Sequence, residues 1–112
     1  MVLKDFLAPG ETIIFQSGKI NSLNDRFTFY ITNQRILLYR RRGVVLKKDR
    51  IIAERIEDVR TLNYKERGLV RPKGVLEIET YSKKMGPIVG KIQDVRAIWQ
   101  ELQKYIRNEP PT

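Results

Sequence analysis

The stretch FYITNQRILLYRRRG, residues 29–43, decides the fold. Phe29 and Ile31 alternate with Tyr30 and Thr32, the period-two pattern of a strand with one buried face. Upstream, Phe27 extends the apolar face and Thr28 the other. Asn33-Gln34 reads as a two-residue hairpin turn, because Asn tolerates a positive φ. RILLYRRR then returns antiparallel, with Ile36, Leu38 and Arg40 on one face and Leu37, Tyr39 and Arg41 on the other. Gly43 marks a second tight turn, into VVLKKDR. Residues 26–50 therefore predict a β-meander with short turns.

Further strand signals lie on both sides. TIIFQSGKI, residues 12–20, is β-branched and aromatic. IIAERIEDVRTLNY is less periodic and predicts a strand from about Ile56 to Tyr64. KERGLVRPKG, residues 65–74, has the glycines and proline of a loop. VLEIETY alternates cleanly, and PIVGKI predicts a last short strand. Ahead of all these, Leu3, Phe6 and Leu7 fall on one face of a brief helical turn that Pro9-Gly10 ends. DVRAIWQELQKYIRN, residues 94–108, is the clearest helix. Val95, Ile98, Trp99, Leu102 and Ile106 mark its apolar face, and Asp94 is placed to cap it. Trp99, with the largest apolar area, is the expected core plug.

The chain has 112 residues, the length of one domain, expected over residues 1–107. NEPPT, residues 108–112, predicts a frayed, disordered tail, since Pro110 and Pro111 cannot continue a helix. With no Cys and no His, disulfides, thiol or imidazole catalysis and the common zinc sites are excluded. Met1–Gly10 lacks the pattern of a signal peptide, and no segment approaches the roughly 20 apolar residues of a membrane span. A cytoplasmic chain is expected, touching a membrane only from the side. The net charge of +9 favours anionic partners. The charge content and the absence of Cys would suit a heat-loving prokaryote.

Seven short strands followed by one amphipathic helix predict a mainly β (α+β) domain, a bent sandwich or partly closed barrel with the helix as stopper. LAPGETIIF, FYITNQRILLY, RIEDVRTL, GVLEIET and DVRAIWQEL, in that order and spacing, resemble a pleckstrin-homology-like domain of the small prokaryotic, GRAM-related kind. The turn Thr32-Asn33-Gln34-Arg35 is the most specific of these. The resemblance covers about Leu7 to Ile106. It implies a seven-stranded bent β-sandwich or barrel capped by a C-terminal helix, acting as a binding module and not an enzyme. Members that bind phosphoinositides carry a lysine, then a basic residue, one spacer and an arginine near the first loop. Here SGKINSLNDR supplies Lys19 and Arg26, but Thr28 stands where the second arginine would be. Asn21, Ser22, Asn24 and Asp25 read more simply as turn formers.

Two basic regions are candidate contacts for an anion or a membrane. Arg40, Arg41, Arg42, Lys47, Lys48 and Arg50 form a hairpin with only Asp49 against them. They could engage phosphates, or simply deter edge-to-edge pairing. In the loop, Lys65, Arg67, Arg71 and Lys73 flank Leu69-Val70. That apolar tip could enter a membrane interface while the cations meet headgroups, or it could fold back and close the barrel. The leading expectation is a non-catalytic adaptor whose partner is an anionic lipid surface or a protein, with a homo-oligomer as a further form. Nucleic acid ranks behind these: Phe27, Phe29, Tyr30 and Tyr39 are candidate stacking faces, but most should be core. No cofactor and no metal are expected. Glu57 and Asp58 point apart on a strand, Glu77 and Glu79 mark a solvent face, and GLVRPKG lacks the phosphate-cradling pattern.

Overall fold

The computed structural model describes residues 3–40 and 49–106. Seven strands follow a short 3-10 turn at Leu3–Phe6: β1 (Ile13–Ser22), β2 (Asp25–Thr32), β3 (Arg35–Arg40), β4 (Arg50–Arg55), β5 (Val59–Arg67), β6 (Lys73–Thr80) and β7 (Ile88–Lys91). The helix α1, Ile92–Gln103, closes the order. All pairings are antiparallel, in one sheet ordered β4-β3-β2-β1-β7-β6-β5.

The connection from β4 to β5 shows that this sheet is curled. These strands are its two edges, yet only Ile56–Asp58 lies between them. Six interstrand steps of about 4.8 Å would set flat edges about 29 Å apart. The four Cα steps from Arg55 to Val59 span at most about 14 Å. The edges must therefore approach at this corner. The Tyr81 N–H donates to the Asp58 carbonyl at 3.1 Å, and Lys83 pairs with Glu54 of β4 at 2.7 Å. Both contacts fasten the corner to the β6–β7 connection.

The concave face holds the main core. Ile20, Phe27, Phe29, Ile31, Ile36, Leu38, Leu76, Ile78 and Ile88 meet Val95, Ile98 and Leu102 of α1 there. The helix lies across β5, β6, β7 and β1. Its approach depends on two glycines, Gly74 and Gly90, which face each other across β6 and β7. A Cβ on Gly74 would stand 2.9 Å from Val95 Cβ, and one on Gly90 would stand 3.1 Å from Ile20 Cγ2. A smaller cluster forms on the convex face, where Leu3 packs with Leu37 and Tyr39 beside Phe6 and Leu7. The brief N-terminal turn thus lies over the convex face of β3.

Several local expectations change. The helix begins at Ile92, with Lys91 at the cap, so Asp94 sits in the first turn and does not cap. The fully buried stopper is Val95, Ile98 and Leu102; half-buried Trp99 stacks on Tyr64 with ring centroids 5.0 Å apart. The strand expected from Ile56 starts at Val59, because Ile56–Asp58 is the 3-10 turn that rounds the corner. β5 runs to Arg67, shortening the 65–74 loop to residues 68–72. Asn21, Ser22 and Asp25 are strand residues, and the first turn is only Leu23-Asn24, both at positive φ. The third strand of the meander is Arg50–Arg55, ahead of which residues 41–48 lie outside the described residues. The expected tail, residues 108–112, also lies outside them.

The glycine notch gives a test with a decisive sign. Replacing a strand glycine by alanine ordinarily stabilises by about 0.5–1 kcal/mol. Gly74→Ala is expected instead to destabilise by about 2 kcal/mol, because the added methyl meets Val95. Urea unfolding checks this; an unchanged or higher midpoint would mean that the helix does not seat there.

Candidate functional site

The turn between β2 and β3 is an anchor. Thr32 Oγ1 accepts from the Arg35 N–H at 2.8 Å and donates to Glu11 Oε2 at 2.6 Å. Asn33 Oδ1 accepts from the Thr12 N–H at 3.0 Å, while its amide donates to the Gly10 carbonyl at 3.1 Å. Arg35 grips the Glu11 carboxylate through Nε at 2.9 Å and through the guanidinium end at 2.7 Å, and also reaches the Phe6 carbonyl. Glu11 is buried. The hydrogen bond from Arg35 holds its carboxyl at about 2, outweighing the opposing cost of burial. These residues lash the N-terminal segment to the hairpin. The pair was not singled out in the sequence, since its partners are 24 positions apart.

The basic hairpin is partly neutralised. Asp25, at the start of β2, accepts from Arg40 of β3 and, at 3.2 Å, from Arg50 of β4. The Arg50 guanidinium also lies over the Phe27 ring, 5.5 Å from its centroid. Arg41, Arg42, Lys47 and Lys48 lie outside the described residues.

The β5–β6 loop is different. Leu69 and Val70 are 102% and 91% exposed, so they project into solvent and do not fold back to close the barrel. Gly68, at φ +104, makes the bend. Lys65 pairs with Glu77 at 3.4 Å. Arg67, Arg71 and Lys73 have no carboxylate partner among the described residues.

Strand pairing then gathers cations from distant parts of the chain. Arg67 stands opposite Lys73, and Lys73 opposite Lys91, so three positive charges form one row across β5, β6 and β7. Like charges directly opposite are destabilising, so folding alone does not favour this row. Beside it, β1 adds Lys19 and Asn21, and β2 adds Arg26. A cleft of about 280 Å³ is lined by Lys19, Asn21, Arg26, Arg71, Pro72, Lys73, Gly90 and Lys91. Five of these side chains are cationic and none is acidic. The structure thus joins Arg71 and Lys73 of the expected loop to Lys19, Arg26 and Lys91. The first two of these had been noted only for the family pattern. Lys91 was missed, since only the β6–β7 register places it opposite Lys73.

The other chemistries find less support in the geometry. Phe27, Phe29 and Tyr39 are buried and Tyr30 half-buried, so none offers an open face for base stacking. No cluster of three or more metal-ligating acidic, His or Cys residues occurs among the described residues, and none of their helices is long and apolar enough to cross a membrane.

Comparison with known proteins places the fold. No family model matches the chain, and no curated protein matches it. Among solved structures it is similar to the crystal structure of a pleckstrin homology domain from Shewanella amazonensis SB2B. The TM-score is 0.69 at 17% identity, covering 92% of this chain and 90% of that one. The architecture is pleckstrin-homology-like: a half-barrel of seven antiparallel strands with one C-terminal helix.

The anchor's contribution depends on pH. Glu11 is more acidic in the folded chain than its ordinary value of 4.5. The stability it confers is therefore complete above about pH 4.5 and is lost as the pH falls towards 2. Glu11→Gln is expected to lower stability by about 3 kcal/mol at pH 7, since Arg35 loses its partner. The gap between variant and wild type should narrow below pH 4.5 in unfolding titrations; a gap that stays constant to pH 2 would show that Glu11 is not held ionised by Arg35.

Proposed function

We propose that the domain is a non-catalytic docking module for an anionic phospholipid surface, with the β5–β6 tip entering the interface and the neighbouring cations meeting headgroup phosphates. The observation that carries this reading is the full exposure of Leu69 and Val70 beside Arg67, Arg71 and Lys73, which no carboxylate among the described residues neutralises. Burying an aliphatic side chain of this size in an apolar phase is worth about 1.5–3 kcal/mol. Each cation near a negatively charged leaflet adds about 1 kcal/mol. Two apolar and several basic contacts together suffice for reversible peripheral binding. Salt weakens the electrostatic part, because the screening length is only about 10 Å at 0.1 M.

Vesicle co-sedimentation tests the reading. The protein should pellet with phosphatidylcholine vesicles containing phosphatidylglycerol at 50 mM salt, and largely remain in solution with pure phosphatidylcholine or at 500 mM salt. Leu69→Ser/Val70→Ser should reduce recovery severalfold without lowering thermal stability, since neither side chain is packed. Lys73→Gln/Lys91→Gln should also reduce recovery while leaving stability equal or slightly higher, because it removes a like-charge pair. Equal recovery on neutral and anionic vesicles would sink the proposal.

A further inference from the structure

β5 is one of the sheet's two edges, and no strand among the described residues pairs with its outer side. The other edge, β4, is six residues long and is held at its corner by Lys83 on Glu54. β5 is nine residues long, with no proline and no glycine to blunt it. Past a bulge between Val59 and Thr61, its ladder on β6 is regular to Arg67. Such an edge turns alternate backbone N–H and C=O groups outward, towards the place of a further strand. Apolar cover is also incomplete along it. Leu62, Tyr64 and Trp99 pack against the core but stay half-buried.

We propose that β5 pairs with β5 of a second copy of the chain, antiparallel and centred on Asn63, in a two-fold dimer whose sheet runs on through both molecules. A two-fold contact sets residue i opposite j and j opposite i, so the strand must complement itself. VRTLNYKER does so about Asn63. On the helix side Leu62 meets the partner's Tyr64, and Arg60, at the bulge, comes level with the partner's Glu66. Each of these pairs occurs twice. Arg60 is exposed and has no carboxylate partner among the described residues. Both hydrogen bonds that Glu66 accepts within the chain, from Tyr64 and Arg96, fall on Oε2, so Oε1 can take a further donor. On the outer side Thr61 meets the partner's Lys65, and Asn63 meets its own copy. A centre at Leu62 or at Tyr64, the adjacent registers with the same facing, loses both ion pairs, and the second sets Leu62 against Glu66. The charges that deter foreign edges therefore favour this one partner. The pairing leaves each β5–β6 tip at its own end of the joined ribbon, so it stands or falls apart from the docking reading.

Light scattering on the full chain, with no vesicles present, reads the dimer. Each chain carries +9, so the series is run at about 0.15 M salt, where charges are screened over about 8 Å. The mass should rise with concentration towards twice that of one chain. Arg60→Glu and Glu66→Lys each set like charges opposite one another, and each should weaken pairing at least tenfold. Mixed in equal amounts they recover both ion pairs and should associate as the wild type does. Oxidative cross-linking fixes the register. The chain has no cysteine, so Asn63→Cys places a single thiol at the axis, with its Cα about 5 Å from its copy, and a disulfide should close there. Thr61→Cys sets the two Cα atoms about 14 Å apart along the strands and should not cross-link. A wild type that stays monomeric at every concentration would overturn the proposal and leave the edge to an extended segment of another protein. So would a dimer that cross-links equally at both positions, or one that both charge variants leave intact.

Discussion

Gly74 and Gly90 stand opposite each other on β6 and β7, and Val95 fills the notch left by their missing side chains. A curled sheet of seven short strands leaves its concave face open on one side. Only an element that comes close can exclude water from it. α1 comes close because its first turn lies over bare backbone. From that contact the helix carries Ile98 and Leu102 down onto the strands. The same contact organises the outer surface. Strand residues alternate faces, so the neighbours of the two inward glycines, Lys73 and Lys91, must point outward together. The notch that seats the helix and the cationic row are two sides of one piece of sheet.

The +9 charge is distributed selectively. Carboxylates are assigned to particular cations: Glu11 to Arg35, Asp25 to Arg40 and Arg50, Glu66 to Arg96, Glu54 to Lys83. Each of these pairs joins different parts of the chain. The Glu66–Arg96 contact, with the Tyr64 hydroxyl donating to the same carboxylate at 2.7 Å, ties α1 to β5. Among the described residues no acid lines the cleft formed by β1, β7 and the β5–β6 loop. An excess that served only solubility would not need its charges placed opposite one another. Their concentration beside an exposed apolar pair is what turns a general property of the composition into a located surface.

The hairpin Asp25–Arg40 was legible from its period two, but the expected positive φ at Asn33 does not occur. Among the described residues only Leu23 and Asn24 are non-glycines at positive φ, and Asn33 serves instead by bonding Thr12 and Gly10 through its side chain. α1 was legible from its period of 3.6. Reading became less secure where two elements compete for one stretch. IIAERIEDVRTL is apolar enough for one long strand, but the corner between β4 and β5 requires a break, and Ile56–Asp58 supplies it. Asp94 has the chemistry of a cap, yet β7 continues straight into the helix and leaves the capping position to Lys91. Trp99 has the largest area, but the helix turns it to the rim, where Tyr64 meets it face to face. The loop cations were found by composition. Their grouping with Lys19, Arg26 and Lys91 was not, since the pairing of β1 with β7 and the register of β6 on β7 have no local signature.

The exposure of Leu69 and Val70 follows from the ladder beneath them. β5 and β6 remain paired from Val59 opposite Thr80 to Arg67 opposite Lys73. Only residues 68–72 are left to make the turn; Gly68 makes its bend at φ +104, and the ring of Pro72 fixes the last of them. Five residues on so continuous a ladder cannot double back over the barrel. The apolar pair therefore stands at the end of a stiff ribbon whose last rung is itself cationic. A surface presented in this way needs little ordering when it meets a partner, so less of its contact energy is spent on entropy. The sheet that builds the core thus also holds the tip and the cationic row in a set relation to each other.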